Sequence, residues 1–521
     1  MKPLIHYNLG LSFKKYVTTI LAMALAKKIE QWSKSNPDKI AIYFKNEQIT
    51  FSQLWAEIER LSTSLIAELN IKCGDRVAFL GHNSPKFIFL FYALSRLGAI
   101  LVPLNYRLSV VELNIILKDS EPKLLFFESK FQKLIDENLA DGIDINLICF
   151  DDGKQKLNEN LLKSQIELIE DNTEPVLLVY TSGTTGKPKG VLHSKSGILA
   201  NIENSHDLHD FVQTDIINTV LPFFHVGGLC IQTLPALHMG STVLLHSDFD
   251  PERWFDDLIK YKPTLFLAVP FVLASLIKHP RWKNAELSSL RLAVTGSSLV
   301  PEYLIKEFYK MGVPLVQVYG ATETGPVSIY LKAEDCNKKI GSTGKNPRLG
   351  KIRILDSERN EVGVGEVGEI VISAPNLMLG YWKDNNNSEF QNGWFYSGDL
   401  GFMQEGYFYI VDRKKDMIIS GGENIYSAEI ENFLFSKCDL ADSAAVGLPD
   451  PIWGEIIVLA VVKKPGVEID KQMILDFFSS DKIAKYKKPK EIYFFDQLPK
   501  NSMGKTQKET LRQLILEKYK K

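Results

Sequence analysis

VYTSGTTGKPKGVL, from Val179 to Leu192, is a strand that breaks into a loop suited to holding an anion. Val176 to Tyr180 form a short β-branched and apolar run of the kind found in buried strands. Gly183, Gly186 and Gly190 then permit backbone conformations that other residues resist, so consecutive N–H groups can converge on a phosphate. Thr181, Ser182, Thr184 and Thr185 add hydroxyl donors, Lys187 and Lys189 add positive charge, and Pro188 stiffens the loop. This is not the loop of G-x-x-x-x-G-K-[ST] nucleotide-binding proteins. Gly183 and Gly186 are too close together, and Pro188 stands where a magnesium-binding hydroxyl would be. Composition alone would fit a polar surface loop; the ordered string argues for a polyphosphate site.

Working outward, apolar runs at Arg76 to Leu80, Lys123 to Phe127, Ile145 to Phe150 and Thr242 to Leu245 alternate with helical stretches at Thr50 to Leu69, Pro85 to Leu97 and Val110 to Lys118. That alternation predicts an α/β fold of stacked layers with mostly parallel sheets. From Ile352 onward short strands separated by Gly, Asn and Asp predict a closing β-rich subdomain: Lys351 to Leu355, Glu369 to Ser373 and Gly406 to Val411. After Asp412 a small α+β segment is expected, with a strand at Ile456 to Val462 and a helix at Asp470 to Ser479. The expected division is 1–412, with the β-rich part at roughly 340–412, and 413–521. Gly363-Val364-Gly365-Glu366-Val367-Gly368 satisfies the dinucleotide fingerprint to the letter, but it leads into a strand rather than a helix and reads as a turn.

At 521 residues the chain exceeds what one core usually accommodates. Hydrophobic residues at 45% and charged residues at 24% describe a globular protein, and a net charge of -2 gives no footprint for nucleic acid. Cys73, Cys149, Cys230, Cys336 and Cys438 are odd in number and widely spaced, which suggests reduced thiols and a cytoplasmic location. Lys14 and Lys15 before the apolar run Tyr16 to Ala26 imitate a secretory signal, but Thr18 and Thr19 dilute that run. The reading adopted is a first helix leading into Ile29-Glu30-Gln31-Trp32, with Met23 as an alternative start. No segment reaches the roughly 18 to 20 apolar residues that span a bilayer. Weak membrane association through the apolar N-terminus and homodimer formation stay open.

The phosphate loop closely resembles the signature of adenylate-forming enzymes: acyl-CoA synthetases, peptide-synthetase adenylation domains and luciferases. LPFFHVGG (Leu221 to Gly228), VYGATETG (Val318 to Gly325), GYWKD (Gly380 to Asp384), WFYSGDLG (Trp394 to Gly401), DRKKDMIISGGENIYSAEIE (Asp412 to Glu431) and LPKNSMGK (Leu498 to Lys505) resemble that family's further motifs, in order. The resemblance implies that a carboxylate attacks the α-phosphorus of ATP, pyrophosphate leaves, and the thiol of coenzyme A then displaces AMP. Both first partners are anions, so cations, Mg²⁺ and alignment would do most of the catalysis.

By the same resemblance Thr181 to Lys189 would close over the β- and γ-phosphates, Glu323 would hold Mg²⁺, and Thr322 would contact the α-phosphate. Tyr319 and the backbone of Gly296, Ser297, Ser298 and Leu299 would sandwich adenine, Gly320 and Ala321 would also line the ATP/AMP site, and Asp399 and Arg413 would grip the ribose. Lys505 is the expected principal catalytic residue, bridging the carboxylate and the α-phosphate. A mobile C-terminal domain would turn about Lys415, withdrawing Lys505 and bringing Gly421, Gly422 and Glu423 to the pantetheine arm. Two departures stand out. Ser427 replaces the proline common in Ile-Tyr-Pro-Ala-Glu, and Thr506-Gln507-Lys508 follow Gly504-Lys505 where relatives often carry arginine, which leaves the anchoring of that loop open.

For the acid, His225 is the expected gate and Val226, Gly227, Gly228, Gly320 and Val327 the expected wall. Amino-acid-activating relatives place an aspartate beside that histidine; here Phe224 and His225 stand instead. Glu323 is the one charge in the pocket segments, and a second buried carboxylate would be costly. The expectation is a hydrophobic monocarboxylic acid, of fatty-acid type, with room for the chain at Gly227 and Gly228. An o-succinylbenzoate or aryl-acid ligase, an enzyme loading a carrier-protein thiol, and a catalytically silent nucleotide-binding scaffold are the competing readings.

Overall fold

The computed structural model describes residues 25–137, 139–140, 142–151, 174–182, 188–297, 300–384, 389–438, 440–479, 483–501 and 504–519. The expected residues Gly183, Thr184, Thr185, Gly186, Lys187, Ser298 and Leu299, and the N-terminal run up to residue 24, lie outside them. The described chain divides into two compact units, 1–352 with 372–395 and 353–371 with 396–521. The β-rich strands are therefore grouped with the C-terminal residues, and Asp412 falls inside the second unit.

The first unit is built on two sheets. One runs in the order Ile329–Tyr330, Leu315–Tyr319, Leu292–Gly296, Leu265–Leu267, Ile216–Thr219, Thr242–Leu245, Ile40–Phe44 and Glu47–Thr50, parallel except at its two edges. The other runs Gly380–Tyr381, Pro188–Ser194, Pro175–Ser182, Ile100–Pro103, Arg76–Leu80, Leu124–Phe127 and Asn146–Cys149. Central strands such as Leu124–Phe127 are buried throughout, as parallel strands covered on both faces must be. Helices begin where the sequence supplies caps. Thr50 with Gln53 and Ser109 with Glu112 form reciprocal capping boxes at Phe51–Ala67 and Val110–Ser120. Trp254, Phe266, Leu273, Trp282 and Phe308 fill one core, and Leu80, Val102, Leu125 and Leu178 fill another.

In the second unit, Lys351–Leu355, Gly368–Ser373 and Trp394–Gln404 lie side by side, and Tyr407–Arg413 pairs antiparallel with Trp394–Gln404. The glycine fingerprint is the expected turn: Glu366 N–H donates to the Gly363 carbonyl, its carboxylate accepts from Gly363 N–H at 2.9 Å, and the chain enters the strand Gly368–Ser373. The last sheet sets Glu423–Ile425, Ile418–Ser420, Gly454–Val462 and Asp442–Asp450 in order, with Glu491–Phe494 parallel to Gly454–Val462. The helix expected at Asp470 to Ser479 runs over Lys471–Phe477, capped by Asp470. Among the described residues no helix is long and apolar enough to cross a membrane.

Candidate functional site

In the first unit the candidate residues gather at the carboxyl ends of parallel strands, where open α/β sheets leave a crevice. Gly296 and Val318 are register partners, and a side chain at Gly296 would lie 2.3 Å from the Val318 carbonyl, so these strand ends touch backbone to backbone. Ser297, next along, has φ of +73°, a conformation that costs a non-glycine residue of order 1–3 kcal/mol. Tyr319 ends the neighbouring strand.

Beyond it, Thr322–Thr324 form a single helical turn that carries Glu323. The turn is pinned from both sides. Thr324 Oγ1 accepts from Ala321 N–H at 2.9 Å, the Asn376 amide donates to the Thr324 carbonyl at 2.7 Å, and Met378 N–H donates to the Glu323 carbonyl at 2.9 Å.

Tyr381 links this turn to the hairpin of Pro175–Ser182 and Pro188–Ser194. Its hydroxyl donates to Glu323 Oε1 at 3.1 Å, while Lys189 Nζ lies 4.5 Å from its ring centroid and 3.4 Å from Glu389 Oε1. Burial first, then the charges of Glu323 and Glu389, push the phenol up, so it stays protonated and remains a donor. Sequence reasoning placed Tyr381 in a motif but assigned it nothing; Glu389 was missed altogether. Gly190 is needed where it stands, because a side chain there would meet Leu178, Tyr180 and Trp382 within 3.1 Å. Thr181 and Lys189 are cross-strand partners in the hairpin. His193, farther along the same strand, is buried and held down to about 4.

Around the expected acyl gate, His225 precedes the short helix Val226–Gly228, which runs into a π-helical stretch at Leu229–Thr233. Such stretches concentrate at functional sites. Burial first, then the charge of Arg107, lowers His225 to about 3, so the imidazole is neutral at any physiological pH. Its Nε2 has no protein partner. Phe224 packs against His225 at 4.5 Å and edge-on to Tyr106 at 5.2 Å, with Arg107 above the Phe224 ring. A side chain at Gly227 would meet open space, whereas one at Gly228 would lie 2.5 Å from the Leu221 and Pro222 carbonyls. An added Cβ thus has no neighbour at Gly227 and meets backbone at Gly228. Gly320 is likewise filled by Pro326, whose carbonyl oxygen would sit 1.7 Å from an added Cβ, and Val327 is fully buried, with its N–H on Asn201 Oδ1 at 3.0 Å.

The second unit assembles its own group. Asp399 and Arg413 are cross-strand partners, with Arg413 Nε 3.4 Å from Asp399 Oδ1. Lys505 sits on a tight turn: its N–H donates to Asn501 Oδ1 at 2.9 Å and its carbonyl accepts from Asn501 N–H at 2.9 Å. Surrounding protein, then Arg413, lowers its pKa to about 8 against the opposing pull of Asp399 and Asp416; the side chain still reaches solvent, which screens these effects. Lys415 lies in the single turn Lys414–Asp416. Gly421 and Gly422, at φ of +61° and +87°, make the two-residue tip joining Ile418–Ser420 to Glu423–Ile425, a mirror-image turn that favours glycine. Half-exposed Trp453 flanks this tip, near enough that a Cβ on Gly421 would touch its ring at 2.9 Å. Glu423 is exposed beside the tip.

Among the described residues no cluster of three His, Cys, Asp or Glu stands ready to cage a metal. One carboxylate, Glu323, fits Mg²⁺, which is commonly held by one or two carboxylates together with nucleotide phosphates and water.

A two-sheet α/β unit carrying the Glu323 turn, followed in the chain by a unit carrying the Asp399–Arg413 pair and Lys505, is the setting in which comparison with known proteins identifies an acid-activating, nucleotide-using enzyme. The chain belongs to the AMP-binding enzyme family, which it matches over residues 29–382, and residues 429–505 match the AMP-binding enzyme C-terminal domain. It is 42% identical to the Indoleacetate–CoA ligase of Aromatoleum aromaticum, over 95% of this chain and 99% of that one. It is 34% identical to a Long-chain-fatty-acid–CoA ligase of Mycobacterium tuberculosis, over 89% and 93%. The o-succinylbenzoate coenzyme A synthetase of Bacillus subtilis, solved with ATP and magnesium ion, superposes with a TM-score of 0.84 at 30% identity, over 93% of this chain and 99% of that one. The chain is thus an AMP-forming acid–thiol ligase that uses ATP, Mg²⁺ and coenzyme A.

Proposed function

We propose that this ligase, acting in the cytoplasm, converts a hydrophobic monocarboxylic acid, and an aryl-substituted one before a fatty acid, into its CoA thioester. The observation that carries this is an uncharged His225 packed on Phe224, which in turn meets Tyr106 edge-on, next to Gly227, where an added Cβ would meet nothing within 4 Å. Aromatic rings favour edge-on and offset contact with another ring by about 0.5–1.5 kcal/mol beyond area burial. Similarity to the indoleacetate ligase supports the same reading. A fatty acid is the second reading, supported by the space at Gly227 and the likeness to the long-chain ligase.

In this reading Lys505 sits between the carboxylate and the α-phosphate, where an ammonium reduces the repulsion of two anions. Thr322 contacts that phosphate, and Thr181 and Lys189 face the outgoing pyrophosphate. Asp399 and Arg413 hold the ribose. Glu323 would hold Mg²⁺, which when bound would supply charge neutralisation of the phosphates, and Tyr381 orients that carboxylate. The C-terminal residues turn about Lys415, and Gly421, Gly422 and Glu423 meet the pantetheine arm. The test is acid-dependent pyrophosphate release across arylacetic, cinnamic, benzoic and fatty acids with ATP, Mg²⁺ and coenzyme A, followed by mass spectrometry of the thioesters. Turnover of fatty acids alone overturns the aryl assignment; no turnover of either class overturns the hydrophobic-acid reading.

A further inference from the structure

The two places where this chain departs from its family's motifs meet inside the second unit. Lys508, at the start of the helix Lys508–Tyr519, reaches Glu431 Oε1 at 2.7 Å and donates to Ser427 Oγ. Ser427 is fully buried and donates in turn to Asp412 Oδ2 at 2.6 Å; the same oxygen accepts from Ala428 N–H at 3.3 Å. Asp412 Oδ1 accepts from Arg413 N–H at 2.7 Å, and Glu431 Oε1 also accepts from Ala445 N–H at 2.8 Å. Three segments are thereby tied: the end of the Tyr407–Arg413 strand, the first turn of the Ser427–Phe435 helix, and the residue three places after Lys505. The proline common at position 427 has no hydroxyl to relay this connection.

Lys508 is the positive charge in this network, paired directly with Glu431 and linked to Asp412 through the Ser427 hydroxyl. The turn bearing Lys505 is closed locally by Asn501 and by Gln507 N–H on the Pro499 carbonyl at 2.8 Å, but those bonds stay within the turn. Lys508 fastens it to the strand that presents Arg413, and Lys500 on Asp442 at 2.6 Å and Arg512 on Asp416 at 3.6 Å are further ties outside the turn. A buried charge with matched partners is a weak source of net stability but a strong source of registry.

We infer that Lys508, with Ser427 as its relay, is a positioning residue for acid adenylation, holding the Lys505 turn in register with Asp412 and Arg413. This rests on the reading of Lys505 as the adenylation lysine. Misplacing a reacting group by about 1 Å costs on the order of 100-fold, and that loss should fall on adenylation rather than on thioester formation from supplied acyl-adenylate.

The experiment measures both half-reactions and the Tm in the full-length protein for Lys508→Met, Lys508→Arg, Lys508→Met/Glu431→Gln and Lys505→Ala. Lys508→Met is expected to lower adenylation about 100-fold, to spare thiolysis and to lower the Tm. Lys508→Arg, which keeps a cationic donor, retains most adenylation. The double variant removes the unpaired buried carboxylate and recovers Tm, but not adenylation. If adenylation returns with Tm in the double variant, or if Lys508→Met slows both half-reactions equally, Lys508 is merely structural and the inference fails. If Lys505→Ala leaves adenylation intact, the underlying reading fails instead; if it abolishes adenylation while Lys508→Met does not, only the present inference falls.

Discussion

Tyr381 donates its phenolic hydrogen to Glu323 at 3.1 Å, joining the strand paired with Pro188–Ser194 to the turn that carries the proposed metal-binding carboxylate. Partners that orient a metal-binding carboxylate typically change metal affinity 10- to 100-fold. Tyr381→Phe should therefore raise the Mg²⁺ concentration needed for half-maximal adenylation by about tenfold with little change in Tm. Glu323→Gln should lower the rate by about 100-fold or more at any Mg²⁺ concentration. A Mg²⁺ titration of pyrophosphate exchange checks both, and an unchanged Mg²⁺ requirement in Tyr381→Phe would refute the link.

With a pKa lowered to about 8, Lys505 is charged below that pH and loses its proton above it. The adenylation rate should fall with unit slope on the alkaline side of about pH 8. Lys505→Arg, always charged, should remove that limb from whatever activity survives. Thiolysis of supplied acyl-adenylate should lack the limb, which a comparison of the two pH profiles in one buffer series reads directly.

His225, held neutral down to about pH 3, contributes no acidic limb in any working range. A bell whose acid side vanishes in His225→Phe would contradict the described burial.

Gly227 and Gly228 part company under substitution. Gly227→Ala places its methyl in open space and should leave Tm nearly unchanged while shifting the acid profile toward smaller acids. Gly228→Ala drives a methyl against two carbonyls at 2.5 Å and should destabilise by about 1–3 kcal/mol. Thermal melts paired with the acid panel separate them; equal effects on Tm would show that the packing around Gly228 is looser than described.

Much of this architecture could be read from the chain because the signals were local. The turn at Gly363 to Gly368 was legible because a strand pattern follows it, and Asp399 and Arg413 could each be singled out because each lies in an ordered motif, though their pairing could not. What escaped depends on contacts between distant segments. Nothing around Tyr381 announces Glu323, and Gly228 reads like Gly227 until the Leu221 and Pro222 carbonyls are seen behind it. Ser427 and Lys508 each looked like a loss of rigidity or anchoring in one dimension; folded, they hold each other.

The seven-stranded sheet finishes with Gly380–Tyr381 laid antiparallel on Pro188–Ser194. During translation the phosphate hairpin must wait, one backbone edge unpaired, until residue 381 has cleared the ribosome. Exposed strand edges recruit other chains. A nascent polypeptide halted while the hairpin is out and residue 381 is not would be the aggregation-prone species, so a ribosomal pause at about codon 300 should depress soluble yield more than the same pause at about codon 450.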